Sequence, residues 1–158
     1  HATWIAALEA NLLAPLLLVR SVLPGMRARR FGRIVNITSA MVKSPRATMA
    51  LSTTARTGLT AFCKAMSFEA AADNVTLNNL LPERFDTPRQ QQMAERMMQR
   101  DGIGLDEARR RIAQTIAARR MGRPEEFGDA CAFLCSAQAG FISGQNLQLD
   151  GGSYPGLI

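Results

Sequence analysis

Polar side chains that could take part in chemistry follow two predicted strands of this 158-residue chain. Residues 33–38, Arg-Ile-Val-Asn-Ile-Thr, form a β-branched run typical of a buried parallel strand, and Ser39 follows it directly. A second predicted strand, residues 75–81, leads into the segment 82–87. Ligands of such a sheet bind at the carboxyl ends of its strands. Ser39 and residues 82–87 are therefore the first candidates for a site.

Two other kinds of chemistry find little support in the sequence. The three cysteines lack CxxC spacing, so we expect no metal site and interpret them as small apolar residues in a reducing compartment. A serine hydrolase, prompted by Ser39 and Ser52, would need a Gly-x-Ser-x-Gly elbow and a histidine base. The chain has no such elbow, and His1 is its only histidine.

The composition, 47% hydrophobic and 20% charged residues, is that of a globular protein, and the formal net charge is +6. The arginines are spread along the chain, and 109–111 lie among acidic residues, which indicates a solvated helix face rather than a nucleic-acid site. The longest apolar stretch, residues 12–23, contains Pro15 and Arg20 and is too short and too broken to span a bilayer. We expect no nucleic acid, no membrane and a cytoplasmic location.

The pattern of apolar residues predicts helices that alternate with three strands. Residues 3–29 favour a helix, which Pro15 and Pro24 should kink or split. After a loop over 39–50, a second helix is expected over 51–72, before the strand that Pro82 ends. The later elements are helices over 88–118 with a turn at 102–104, a helix from 124 to about 136, and a third strand over 146–150. This alternation predicts an α/β fold with a parallel sheet.

The sequence lacks the Gly-rich turn with which a doubly wound nucleotide-binding domain opens, because no Gly-x-Gly-x-x-Gly occurs in it. Single-domain α/β enzymes often run to roughly 200–250 residues. We therefore expect residues 1–158 to be a single partial domain. It would be the C-terminal part of a Rossmann-like doubly wound parallel sheet, with about three strands and covering helices.

Several motifs together resemble those of the short-chain dehydrogenase/reductase family. Residues 32–39, Gly-Arg-Ile-Val-Asn-Ile-Thr-Ser, are similar to the strand that ends on the family's catalytic serine. Asn11 lies 28 positions before Ser39, as the family's catalytic asparagine does. Pro82 to Thr87 resembles the Pro-Gly-x-x-x-Thr loop that holds the nicotinamide. Three segments are similar to the C-terminal signature of the family: residues 122–127, 141–145 and 149–152.

The Tyr-x-x-x-Lys pair of the family falls on Ser52 and Arg56, so both residue types are replaced. The spacing of four still places the two side chains on one helix face. A serine hydroxyl is far less acidic than a phenol and is a poor general acid at neutral pH. The planar guanidinium of Arg56 differs from an ammonium in shape and reach. Glu83 likewise replaces the glycine after Pro82.

The resemblance implies an NAD(P)-dependent oxidoreductase that moves a hydride between a nicotinamide and a small carbonyl or alcohol substrate. Ser39 would polarise the carbonyl, and Asn11 would hold a proton-relay water. Ser52 would occupy the position of the acid, and Arg56 would bind the nicotinamide ribose. The 158 residues by themselves are expected to be inactive.

The cofactor, NAD or NADP, would also contact Pro82 and Thr87. In the family the helices corresponding to 3–29 and 51–72 pack against a second subunit, so the resemblance implies a homodimer or homotetramer. Because the tyrosine and lysine are replaced, an alternative stays open. The protein could be a catalytically degenerate member that acts as a nucleotide sensor or a structural partner subunit.

The four candidate catalytic residues also have structural interpretations. Asn11 could be a buried polar residue satisfied by backbone groups, and Ser39 could cap a turn. Ser52 could belong to a helix N-terminus, where hydroxyls accept from free N–H groups. Arg56 could pair with a carboxylate.

Overall fold

The computed structural model describes residues 1–157 and contains a sheet of three parallel strands. The strands are β1 (Gly32–Ile37), β2 (Val75–Pro82) and β3 (Asn146–Leu149), in the order β1-β2-β3. The central strand β2 is buried over its whole length except at Pro82, as expected for a strand covered on both faces. The predicted Rossmann-like parallel sheet is confirmed, with Pro82 as the last residue of β2 rather than the residue after it.

Six α-helices accompany the strands in the described chain. They are α1 (Ala2–Leu8), α2 (Ala14–Ala28), α3 (Ala50–Ala71), α4 (Pro88–Asp101), α5 (Leu105–Gln114) and α6 (Pro124–Cys135). The predicted loop 39–50 contains two short 3₁₀ turns and ends where α3 begins. The predicted helical stretch 88–118 ends four residues early, at Gln114.

The helices cover both faces of the sheet. On one face, Val19 and Leu23 of α2 pack with Ile34 and Leu77 of the sheet. On the other face, Leu134 of α6 packs against Leu80. Helices α4 and α5 pack against each other through an apolar cluster of Ala94, Ala108 and Ile112. The α4–α5 pair follows β2 directly, so it lies next to the carboxyl end of the sheet.

Helices α1 and α2 are joined by a π-helical turn, Glu9–Leu13, and the chain stays helical from Ala2 to Ala28. The prolines, expected to kink or split this segment, do not split it, and the kink stays a prediction. The Ala14 N–H bonds to the Glu9 carbonyl, the wider spacing of a π turn. Pro15 then follows the π turn directly, at the point where the hydrogen-bond pattern of the helix changes.

The continuous helix Ala2–Ala28 is the one segment of the described chain that is long and apolar enough to cross a membrane, by length and composition. The apolar stretch is thus longer than the sequence suggested. The same helix places Val19 and Leu23 in the core of the sheet, which is the behaviour of an amphipathic covering helix.

Arginines 109–111 are ion-paired on the α4–α5 surface, in agreement with the predicted solvated helix face. Arg109 contacts Asp86 at 2.7 Å, and both Arg110 and Arg111 contact Glu107 at 2.8 Å.

Candidate functional site

Ser39 stands at the carboxyl end of β1 with an extended backbone, at φ −166°. Its hydroxyl oxygen accepts a hydrogen bond from the backbone N–H of Met41 at 3.2 Å, so Ser39 does cap a turn. This bond uses the oxygen as an acceptor and leaves the hydroxyl proton available. Ser39 is half-buried, so the same side chain that caps the turn can donate to a ligand oxygen.

Arg56 of α3 is bound to the end of β1. Its Nη1 donates to the Thr38 carbonyl at 2.6 Å and to the Ile37 carbonyl at 3.2 Å. Its Nε donates to the Ser52 hydroxyl oxygen at 3.1 Å. Partial burial lowers the pKa of the Arg56 guanidinium, but arginine keeps its proton at neutral pH. Arg56 pairs with backbone and hydroxyl oxygens rather than with a carboxylate, so that structural interpretation is wrong.

Ser52 is the third residue of α3, so it belongs to the N-terminal turn of the helix as expected, but its hydroxyl does not cap it. The helix begins at Ala50, and its N-cap residue, Met49, makes no side-chain cap bond. The Ser52 oxygen instead accepts from Arg56, so its own proton is free to be donated. The result is a hydroxyl beside a fixed cation, one helical turn apart on the face of α3 that meets the end of β1.

Asn11 lies in the π turn and donates from its side chain to the Ala7 carbonyl at 3.1 Å. Among the described residues, no hydrogen bond joins Asn11 to Ser39, Ser52 or Arg56. The π turn packs on α3, where an added Cβ at Gly58 would come within 3.2 Å of the Leu12 side chain. The structure therefore brings Ser52 and Arg56 together with the end of β1, and holds Asn11 on the helix that packs beside them.

An apolar slot of about 220 Å³ lies at the carboxyl ends of β1 and β2. Ile37, Pro82, Phe85 and Phe127 contribute to its walls, and Thr87 lies at its rim. The two phenylalanine rings meet edge to face, 5.5 Å between centroids. Thr87 precedes α4 in an extended conformation, and its hydroxyl makes no cap bond. The surface of the slot is therefore entirely apolar, and Thr87 lines it through its apolar atoms.

Glu83, which stands where the family has glycine, keeps an ordinary backbone, and the left-handed conformation falls on Arg84 at φ 61°. The Glu83 carboxylate is paired with Arg46 at 3.3 Å and lies 3.8 Å from the Nε of Arg84. Its negative charge is therefore compensated within the site by two arginines.

A second pocket, of about 290 Å³, opens on the other side of Glu83 and reaches Ser39. Sequence reasoning did not single out several of its residues, among them Arg46, Arg89 and Gln90. Arg46 comes from the loop after β1 and the other two from the first turn of α4, more than forty positions later. No spacing rule connects such distant positions, so only the fold reveals that they share one cavity.

Comparison with known proteins assigns this arrangement to a family. A family model described as Enoyl-(Acyl carrier protein) reductase matches residues 1–154. The chain belongs to the short-chain dehydrogenase/reductase family. The family expectation drawn from the motifs is thereby confirmed.

Two curated relatives and one solved structure describe the similarity. The NADPH-dependent reductase BacG of Bacillus subtilis is 36% identical over 132 residues, which cover 84% of this chain and 51% of BacG. The 3-oxoacyl-(acyl-carrier-protein) reductase FabG of Vibrio cholerae is 32% identical over 151 residues, 96% of this chain and 57% of FabG. A crystal structure of the actinorhodin polyketide ketoreductase with NADPH matches with a TM-score of 0.85 and 29% identity, over 95% of this chain and 58% of that one.

The chain therefore spans between half and three fifths of the length of these relatives. The family assignment concerns the sheet, the covering helices and the motifs quoted above. The roles of Asn11, Ser39, Ser52 and Arg56 stay predictions.

Proposed function

We propose that the complete protein containing this chain is an NAD(P)-dependent oxidoreductase that moves a hydride between the cofactor and a small carbonyl or alcohol substrate. Similarity to NADPH-dependent reductases such as BacG supports the proposal. The single observation on which it rests most is the 2.6 Å bond from Arg56 to the Thr38 carbonyl. This bond holds a cation beside Ser52 and one residue from Ser39.

In this function Ser39 donates its free proton in a hydrogen bond to the substrate carbonyl. Ser52 stands at the position of the acid and exchanges a proton with the substrate oxygen. The positive charge of Arg56, bound to the Ser52 oxygen, favours the form of that hydroxyl that has lost its proton. Asn11 would hold a water that returns the proton from solvent.

The residues around the apolar slot fit a nicotinamide. When bound, this cofactor supplies or accepts the hydride. Pro82 and the phenylalanine pair offer flat apolar walls for an aromatic ring. The family resemblance places the carboxamide beside Thr87, whose hydroxyl makes no cap bond. Arg56 reaches the end of β1 beside this slot, where it would meet the ribose.

Three further features belong to the proposal. The dinucleotide-binding half, with its Gly-rich turn, would lie outside residues 1–158, which would be inactive alone. The protein would assemble as a homodimer or homotetramer through α1, α2 and α3, whose apolar side chains Trp4, Leu17 and Leu18 are exposed. Its location would be cytoplasmic, which suits three free cysteines.

The test is turnover of NADPH and NADH by the complete protein with a panel of small ketones. We expect carbonyl-dependent oxidation of the cofactor. Replacing Ser52 by Ala should lower kcat by roughly 10²-fold, the scale of a lost proton donor, while KM for the cofactor stays unchanged. A Ser52→Ala variant with full kcat would remove Ser52 from the mechanism.

A catalytically degenerate protein, acting as a nucleotide sensor or partner subunit, is the second candidate. The observation that favours it is the pairing of Ser52 with Arg56 in place of a phenol and an ammonium. Such a protein would bind the cofactor without consuming it. Turnover at an ordinary rate by the unmodified protein would exclude this candidate.

A further inference from the structure

The pocket of about 290 Å³ beside Ser39 carries a net positive charge at the carboxyl end of the sheet. Its position makes it the natural place for whatever the Ser39 hydroxyl binds. Met41, Met49 and Met93 form its apolar part. Thioether side chains adapt to short alkyl groups. The volume lies at the small end of the range for ligand pockets, roughly 300–1,000 Å³.

The polar lining of this pocket is strongly positive. Arg46, Arg84 and Arg89 contribute three cations, and Glu83 is the only carboxylate among the lining residues. Glu83 contacts Arg46 at 3.3 Å and Arg84 at 3.8 Å, so its single charge is already matched. Arg89 is exposed and has no hydrogen bond or ion pair within the described chain. The pocket thus keeps a net charge of about +2. The guanidinium of Arg89 has all its donors available for a ligand.

Gln90 adds an independent sign of a missing ligand. Its side chain is 8% exposed and lines the pocket, and its Oε1 has no hydrogen-bond partner. Leaving a buried polar group unpaired costs stability, so such groups are rare without a reason. The Oε1 is an acceptor and cannot meet a carboxylate, so the amide can serve a carboxylate only through its Nε2, which donates.

From these contacts we propose that the substrate carries a carboxylate, so that the pair interconverted by this enzyme is a short oxo acid and the corresponding hydroxy acid. This inference rests on the proposed function and specifies its substrate class. Arg89 and Arg46 bind the carboxylate, and the Gln90 Nε2 donates to one of its oxygens. Ser39 faces the carbonyl or hydroxyl oxygen of the substrate. The carboxylate takes no part in the hydride transfer and only orients the reacting carbon.

The experiment compares 3-hydroxybutanoate with its methyl ester, which lacks the negative charge and carries one more methyl group. Their binding to the complete protein is measured by calorimetry in the presence of saturating NADPH, which prevents oxidation of the alcohol. We expect the acid to bind about tenfold more tightly than the ester, the scale of one charge-assisted hydrogen bond. Arg89→Gln should remove most of this preference and leave the affinity for the ester unchanged.

Arg96→Gln is the matched control, because Arg96 is an exposed arginine on the same helix α4 and does not line the pocket. It should leave the affinity for the acid unchanged. Gln90→Met gives a second test, since it replaces the unpaired amide by an apolar side chain of similar size. It should lower the affinity for the acid without lowering the melting temperature of the free protein.

Three results would overturn the proposal. Equal affinities for acid and ester would show that the charge is not recognised, and equal effects of Arg89→Gln and Arg96→Gln would point to bulk charge alone. A loss of NADPH affinity in Arg89→Gln, with acid binding intact, would assign Arg89 to the cofactor. Failure of the unmodified protein to bind either NADPH or NADH is a separate outcome, which would remove the proposed function itself.

Discussion

Arg56 holds the end of β1 in a way that a lysine could not copy. Its guanidinium bonds at once to two strand carbonyls and to the Ser52 hydroxyl, three contacts that need several donors in a fixed plane. An ammonium in its place would have a shorter, more mobile head. The two replacements at 52 and 56 are therefore coupled. Arg56 donates a hydrogen bond to the Ser52 oxygen, at the position where the family has the tyrosine hydroxyl.

This coupling predicts the effect of restoring the family pair. The double variant Ser52→Tyr with Arg56→Lys should raise the rate of NADPH-dependent carbonyl reduction by roughly 10²-fold, since a phenol is a far better acid than a serine hydroxyl. Initial rates with a fixed ketone measure the effect. The matched control is Ser52→Phe with Arg56→Lys, which has the ring but no hydroxyl and should show no gain. Equal rates for the two double variants would contradict the account.

The sequence was sufficient to predict which residues share the end of β1, but not how they bond. The spacing of four placed Ser52 and Arg56 on one face, and this arrangement is present. The bond from Arg56 to the Thr38 carbonyl depends on how far α3 lies from β1, which is a tertiary quantity. Arg46 and Gln90 could not be predicted as residues of one pocket for the same reason. Arg46 comes from a loop and Gln90 from a helix, and only packing brings them together.

At the scale of elements, the alternation of strands and helices was predictable because each strand is a short apolar run with clear ends. The exception is the join of α1 and α2. Pro15 predicts a kink or a break in the helix there. The π turn Glu9–Leu13 instead precedes Pro15, and the helix continues through it. Single-sequence patterns carry no signal for such a turn, which lies where Leu12 packs against Gly58 on α3.

The start of α6 contains an ionisable contact that predicts a pH effect. Glu126 bonds to Arg120 through both oxygens at 2.7 Å and accepts from the Arg123 N–H at 2.8 Å. These bonds lower the pKa of Glu126 to about 2, from an ordinary value of 4.5. Since the folded pKa is depressed, the stabilisation is complete above pH 4.5 and is lost as the pH falls from 4.5 towards 2.

The Glu126→Gln variant should therefore melt at a lower temperature than the unmodified complete protein at pH 7, with the difference shrinking below pH 4.5. Thermal melts followed by circular dichroism at several pH values measure this. Glu125→Gln is the control, because Glu125 lies in the same helical turn and has no ion pair in the described chain. A difference that stays constant across the pH range would refute the role of the Glu126 carboxylate.

At the scale of the whole molecule, two surfaces of the described chain are of the kind that other protein segments usually contact. The sheet of the described chain ends at β1, whose outer edge has no neighbouring strand, and unpaired edges invite association. The α1–α2 helix exposes several large apolar side chains, among them Leu18 at 67%. An apolar surface of this kind is typical of a contact with another protein surface.

We expect Leu18→Glu to weaken self-association of the complete protein, because it places a charge in the apolar surface of α2. Sedimentation velocity should show a shift towards monomer at low micromolar concentration. Gln92→Glu adds the same charge on the exposed surface of α4 and should leave the assembly intact. An unchanged oligomer in Leu18→Glu would locate the interface elsewhere.

The central claim, a cofactor-binding reductase with Arg56 at the ribose, is tested most directly by titrating NADPH and NADH into the complete protein by calorimetry. The account predicts saturable binding of one of them with stoichiometry near one per chain, weakened about tenfold in Arg56→Met, which removes one charged hydrogen bond. The absence of binding at high micromolar concentrations of both cofactors would contradict it.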